Sequence, residues 1–287
     1  MASDSEEVPQ RQEITVRVVK SGRHIFSENP VDRYQHHFIH LIGRHLEVRD
    51  GPMLALDLAC GVGLSTLALF ERLPPGSRVV AISDDRVDLK RFHEQLTSDQ
   101  RKTIFPRKEK RDRLPFAVNL FDVVWAALPS EPLRPLRPIL RQALRVLRPG
   151  GQLIITAPLR RTFLGLANAI GPSLEGHKDD AAFQALLSEP PELISSDDWI
   201  ANIQRCGAIE AEIHHNSVEI NTALPLSSQP LFSGFLLPLW LGDDLTLQAQ
   251  ALRLLDVAVK KPLVVTIHIG CVTARRGLSE IEDETSG

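Results

Sequence analysis

Cysteine is scarce in this sequence: Cys60, Cys206 and Cys271 are the only three in 287 residues. Their odd number and the lack of metal-ligand spacing argue against a disulfide framework or a structural zinc site, and for a reducing compartment. Long apolar runs are missing as well. The most apolar stretch, residues 230–241, holds about twelve residues against the roughly twenty of a membrane helix, so no span is expected. Basic charge is not in excess: the formal net charge is -3 and the isoelectric point about 6.4, which argues against a protein that tracks a nucleic-acid backbone over its whole surface. The opening Met1-Ala-Ser-Asp-Ser-Glu-Glu has neither the basic nor the apolar region of a signal peptide, and the expectation is a cytoplasmic protein. What is present, 43% hydrophobic and 24% charged residues, supports one substantial core with an added cap.

The most informative stretch is residues 54–66, Leu-Ala-Leu-Asp-Leu-Ala-Cys-Gly-Val-Gly-Leu-Ser-Thr. Residues 54–58 form a short apolar run interrupted only by Asp57, which suits a strand buried on both faces of a parallel sheet. Gly61 and Gly63 then provide a turn without Cβ atoms, and residues 64–73 have a helical apolar pattern. Strand, glycine turn and helix make a ligand site at the carboxyl end of a strand. A dinucleotide requires Gly-x-Gly-x-x-Gly, and the third glycine position here is Thr66. S-adenosylmethionine has no phosphate and carries an amino group and a sulfonium, both cationic, so an acid beside the glycine turn suits it better than a pyrophosphate.

Leu56-Asp57-Leu58-Ala59-Cys60-Gly61-Val62-Gly63 closely resembles motif I of the class I, Rossmann-like, S-adenosylmethionine-dependent methyltransferases. The resemblance implies an α/β fold: a doubly wound, seven-stranded, mostly parallel sheet with a C-terminal antiparallel strand and a helical, apolar insertion before the last strand. It implies S-adenosylmethionine as cofactor, with Asp57 near its methionine amino end and Ala59, Cys60, Gly61 and Gly63 beside it. At the end of the second strand, where the family normally has an acid for the ribose hydroxyls, this chain has Ser83 followed by Asp84 and Asp85. Either Asp84 reaches the ribose through a shifted register, or Ser83 makes a weaker contact, or affinity is relaxed; the same residues also suit a helix cap. Asp112-Arg113-Leu-Pro-Phe resembles the family's acid before Leu-Pro-Phe, which places Asp112 and Arg113 at the adenine, and Ala126 to Pro129 fall where the fourth strand ends beside the cofactor.

The rest of the chain follows the same order. Residues 1–12 and 276–287 are expected as polar tails around one domain over 13–275. Residues 14–19 alternate as a short strand, and a leading helix over 30–48 is expected to fold over the pocket, with Tyr34 either touching the ligand or packing on the sheet edge. His36 and His40 share a helix face at a metal-compatible spacing but have no acid or cysteine at a ligating interval, so no metal is expected. Strands are expected at 78–83, 121–127, 152–157, 209–220 and 263–274, and helices at 86–96, 132–147, 197–206 and 245–259; residues 102–106 are a poor third strand. Arg134, Arg137, Arg141, Arg145 and Arg148 form one stripe, either a solvated face or a docking face for an acidic protein partner or nucleic acid. Residues 158–195 and 221–262 are expected as substrate-cover insertions, the second with an apolar segment over 221–244 that lines a substrate pocket, forms a dimer contact, touches a membrane surface or packs on the core against the following helix.

Methyl transfer from a sulfonium needs alignment and exclusion of water more than it needs a base, so the lack of an obvious base does not count against catalysis. The resemblance extends over most of residues 35–275 to quinone-biosynthesis and natural-product methyltransferases, and implies in-line transfer of a methyl group to a small molecule; the apolar insertion favours an apolar acceptor. The alternative is a methyltransferase-like binding or scaffold protein with a relaxed cofactor site.

Overall fold

The computed structural model describes residues 15–18, 29–130, 132–177, 179–188, 190 and 193–277. Most of the expected tails, residues 1–12 and 278–287, lie outside these. An eight-stranded sheet organises the chain. Strands β1 (Thr15–Val18), β2 (Leu54–Asp57), β3 (Arg78–Ser83), β4 (Ile104–Lys108), β5 (Phe121–Ala127), β6 (Leu147–Pro158), β7 (Ala208–Asn221) and β8 (Val264–Arg276) stand in the order β1-β7-β8-β6-β5-β2-β3-β4. The ladders β6–β5–β2–β3–β4 are parallel, and β8 runs antiparallel between β6 and β7. This is the expected Rossmann-like sheet of seven strands, with β1 added antiparallel on the outer edge of β7.

Burial explains where the strands lie. All seven residues of β5 are buried, as a central parallel strand covered on both faces requires. The edge strand β4 buries only Ile104 and tolerates Pro106, because an edge leaves one side of the ladder unpaired. β6 starts five residues earlier than expected. Leu147 pairs with Phe121, and the ladder then shifts register so that Gln152 pairs with Val123; Arg148-Pro-Gly-Gly therefore sits inside the strand as an irregularity. β8 also runs two residues past its expected end, taking Arg276 from the expected tail into the sheet.

Helices α1 (Pro30–His45), α2 (Leu64–Phe70), α3 (Arg86–Gln95), α4 (Leu136–Val146), α5 (Leu164–Ile170), α6 (Ala181–Leu187), α7 (Ser196–Arg205), α8 (Leu237–Leu241) and α9 (Leu245–Ala258) flank the sheet. α1 begins at Pro30 with Asn29 capping the Val31 N–H, the arrangement proline favours at a helix start. It packs Phe38 and Ile42 against the sheet in one core cluster with α5, α6, α9 and the apolar insertion. α4 and α7 cover the opposite face through Ile139, Leu140, Trp199 and Ile203. A smaller cluster joins Phe92 of α3 to Ala81 and Ile104.

The insertion after β7 is mostly core. Trp240 stacks on Phe163 with ring centroids 4.8 Å apart and donates its indole N–H to the Ser188 carbonyl. One turn of it, Phe232–Leu236, is a π-helix. The arginine stripe is largely engaged within the chain. Arg145 donates to the carbonyls of Leu114 and Phe116, Arg148 pairs with Asp122 at 2.6 Å, and Arg137 donates to Asn202. α4 spans Leu136–Val146, so Arg134 and Arg148 fall outside the helix.

Candidate functional site

At the carboxyl end of β2 the chain turns sharply. Gly61 and Gly63 adopt left-handed φ values of +49° and +95°, which an L side chain takes only at a cost. The turn is held by Cys60 N–H to the Ile82 carbonyl at 3.1 Å and Gly63 N–H to the Cys60 carbonyl at 2.7 Å. Gly63 is the N-cap of α2, and a Cβ there would lie 2.1 Å from the Phe92 ring; a Cβ on Gly61 would meet nothing within 4 Å. One glycine is required by packing and the other leaves open space.

Asp57 is fully buried under this turn. Its carboxylate accepts hydrogen bonds from the hydroxyls of Ser65 at 2.6 Å and Thr66 at 2.8 Å, and from the Ala59 N–H at 3.1 Å. Burial raises its pKa above the usual carboxylate value; the Ser65 hydroxyl, the Trp125 indole, the Thr66 hydroxyl and the Ala59 N–H pull it back. The Trp125 N–H favours the charged carboxylate but stays outside hydrogen-bond geometry, and is otherwise unpartnered. Burial, and next Asp57, push the Cys60 thiol far up, which leaves it protonated and unreactive.

Above the turn opens a cavity of about 630 Å³, within the roughly 300–1,000 Å³ of small-molecule sites. Of the residues singled out from the sequence, Ala59, Cys60, Gly61, Ser83, Asp84, Asp85 and Pro129 line it. Asp57 and Gly63 lie beneath its floor, with Ser65 as the lining residue that touches Asp57. Ala126 is buried inside β5, and its neighbour Ala127 reaches the cavity. Asp112 and Arg113 are exposed outside it; the turn closed by the Arg113 N–H on the Lys110 carbonyl instead leaves Arg111 as the lining residue.

The second strand's end is divided between two tasks. Asp85 caps α3 by accepting from the Val87 and Asp88 N–H groups, and the Ser83 hydroxyl oxygen accepts from the Asp85 N–H. Asp84 is left facing the cavity, 3.7 Å from the Arg111 guanidinium. Burial, and then the neighbouring Asp85, raise the Asp88 pKa, with Arg91 opposing.

Several lining residues escaped the sequence reading. Val31, Gln35 and Ile39 form one stripe of α1 at i, i+4 and i+8, and Asp88, Arg91 and Gln95 one stripe of α3. That spacing was the available signal. Phe235, from the π-helical turn, had none. Tyr34 packs inside the core, edge-on to Phe38, and donates its hydroxyl to the Pro129 carbonyl at 2.7 Å. Pro129 lines the cavity, so Tyr34 shapes the wall from behind. Tyr34→Phe strands that carbonyl and is expected to cost about 1–3 kcal/mol, read as a lowered denaturation midpoint with unchanged slope. No group of three histidine, cysteine or acidic side chains suited to a metal occurs among the described residues. His36 sets Nδ1 2.7 Å from the Asp32 carbonyl, and His45 stacks on His214.

The cavity's charge is decisive chemically: four aspartates, Asp32, Asp84, Asp85 and Asp88, face two arginines, Arg91 and Arg111. Residues 56–155, which supply its floor and strand ends, match the family model described as a methyltransferase domain. Over that stretch the sequence matches a methyltransferase domain, and the strands it contributes stand in a Rossmann-like sheet. Among solved structures, YcgJ from Bacillus subtilis superposes with a TM-score of 0.59 at 13% identity, covering 85% of this chain and all of that one. Geranyl diphosphate C-methyltransferase from Streptomyces coelicolor gives 0.52 at 13% identity over 84% of this chain and 79% of its own. The [4+2]-cyclase SpnF gives 0.52 at 17% identity over 86% and 83%. At these identities the likeness concerns the fold. No curated protein is a significant match to the chain. No helix among the described residues is long and apolar enough to cross a membrane.

Proposed function

We propose that the methyltransferase domain transfers a methyl group from S-adenosylmethionine to a small, apolar molecule. The observation that carries this reading is the acid-rich cavity above a two-glycine turn, with a surplus of two negative charges, four aspartates against two arginines. Such a cavity suits a cationic ligand and repels a pyrophosphate. S-adenosylmethionine, when bound, supplies an activated methyl group on a sulfonium sulfur.

The chain's own residues supply binding, orientation and dryness. The open space at Gly61 lets backbone approach the ligand, and Asp57 holds the turn from below through Ser65, Thr66 and the Ala59 N–H. At the end of β3, Asp84 is the carboxylate that faces the cavity and is placed to accept ribose hydroxyls beside Arg111, since Asp85 is committed to its helix cap. Ile39, Leu64, Ala127, Pro129 and Phe235 give the cavity an apolar wall that excludes water and favours an apolar acceptor. No histidine, lysine or tyrosine is among the described lining residues. That chemistry suits an acceptor atom that needs no strong base, such as a soft or carbon nucleophile.

Calorimetric titration of the chain with S-adenosylmethionine is expected to show one site of micromolar or tighter affinity. Asp84→Ala, an exposed change, should weaken it about tenfold without altering the melting temperature. The absence of binding at millimolar cofactor would overturn the reading. One observation favours the alternative, a methyltransferase-like binding protein that does not turn over: the position usual for the ribose acid is Ser83, and its hydroxyl oxygen already accepts the Asp85 N–H. Failure of the cofactor to bind in that same titration is the result this alternative requires.

A further inference from the structure

A second, larger cleft of about 1130 Å³ lies beyond the carboxyl end of β6 and shares no lining residue with the cofactor cavity. Its charge is opposite. Arg44, Arg160 and Arg161, with the imidazoles of His215 and His268, face a single carboxylate, Asp197. In a chain of net charge -3 this is a local concentration of cations.

Arg161 is the distinctive member. Its φ of +72° is a left-handed conformation that non-glycine residues take only under constraint, and such outliers gather at functional sites. The constraint is visible. Leu159 donates its N–H to the His268 carbonyl at 2.8 Å, Arg160 donates to the Ile194 carbonyl, and the Thr162 hydroxyl oxygen accepts the His268 N–H at 3.2 Å. The turn 159–164 is thus tied to β8 and to the strand-like bridge at Ile194. On this turn Arg160 reaches back to the Leu193 carbonyl and lies 3.9 Å from Asp198. No side-chain partner of the Arg161 guanidinium is found among the described residues. The turn's hydrogen bonds hold the backbone, while the guanidinium it presents to the cleft has no side chain to neutralise it among the described residues.

The surroundings are those of an anion site. Ser196 and His215, with Oγ and Nε2 3.4 Å apart, line one side, and Ser217 and Asn168 add donors. A guanidinium presents paired N–H donors that match carboxylate and phosphate oxygens. We propose that this cleft binds a small polyanion, a phosphorylated or polycarboxylated molecule, with Arg161 as its principal cation. The proposal does not depend on what occupies the first cavity.

The test titrates the full chain at low salt with inorganic pyrophosphate and, in a separate arm, with citrate. Saturable one-site binding of at least one is expected, the tighter arm naming phosphate or carboxylate as the recognised group. Arg161→Gly removes the cation and relieves the left-handed backbone, so it should bind the anion at least tenfold more weakly while melting no lower than the parent and keeping its affinity for S-adenosylmethionine. Arg161→Gln should show the same loss of anion with its side-chain bulk retained. Absence of binding by both anions below about 10 mM, equal binding by the parent and both variants, or displacement of the anion by S-adenosylmethionine would each overturn the proposal.

Discussion

Gly63→Ala is expected to destabilise the domain by about 2–5 kcal/mol, the sum of forcing a side chain into left-handed backbone and overpacking a filled core. The new Cβ would stand 2.1 and 2.2 Å from two carbons of the Phe92 ring, and Phe92 is itself fully buried between Ala81 and Ile104 with nowhere to retreat. Gly61→Ala supplies the control. It shares the positive φ but has open space around the added atom, so its cost should be about 1–2 kcal/mol, the conformational part alone. The difference between the two denaturation midpoints therefore measures the packing of α2 against α3. A second arm refines it: in Gly63→Ala with Phe92→Ala the two losses should sum to less than their separate values, because the clash disappears with the ring. Equal midpoints for the two alanine variants would show that α3 moves away from the turn at no cost.

That turn was legible in the sequence because its signals are local. An apolar strand, two glycines and an amphipathic helix follow one another within residues 54–70, and each constrains the next. β5 and β8 were legible for the same reason, as unbroken or alternating apolar runs. β4 was not. An edge strand buries one residue, Ile104, and fills the rest with Phe, Pro, Arg and Lys, so its identity lies in the partner, β3, that it pairs with. The site divides along the same line. Residues carried by the glycine turn and the end of β3 could be named in advance, but which of Arg111, Asp112 and Arg113 reaches the cavity depends on one turn hydrogen bond. Phe235 depends on an insertion more than a hundred residues downstream folding back over α1. Long-range packing decides such positions, and no window of sequence contains it.

The buried acid permits the sharpest separation of architecture from recognition. Asp57→Ala leaves the Ser65 and Thr66 hydroxyls and the Ala59 N–H without their acceptor, and is expected to cost several kcal/mol and to abolish cofactor binding together with the turn. Asp57→Asn behaves differently. An amide of the same shape accepts the Ala59 N–H through its oxygen and donates to the hydroxyl oxygens through its nitrogen, so the turn survives without the charge. The carboxyl of Asp57 has a pKa raised in the folded chain, chiefly by burial. The folded state therefore holds that proton more tightly than the unfolded state does, a stabilisation fully present below the unfolded value and lost as pH rises through the folded one. At neutral pH the charged acid works against folding, and the asparagine variant should be as stable as the parent or more so. As pH falls below the folded pKa the parent gains what the variant cannot, and the difference between their melting temperatures should shrink. Cofactor affinity should move the other way: if the buried carboxylate attracts the amino end of S-adenosylmethionine, the asparagine variant loses at least tenfold in affinity at neutral pH with its melting temperature preserved. Undiminished affinity in the asparagine variant would assign Asp57 to holding the turn alone, and leave the attraction to Asp84 and Asp88.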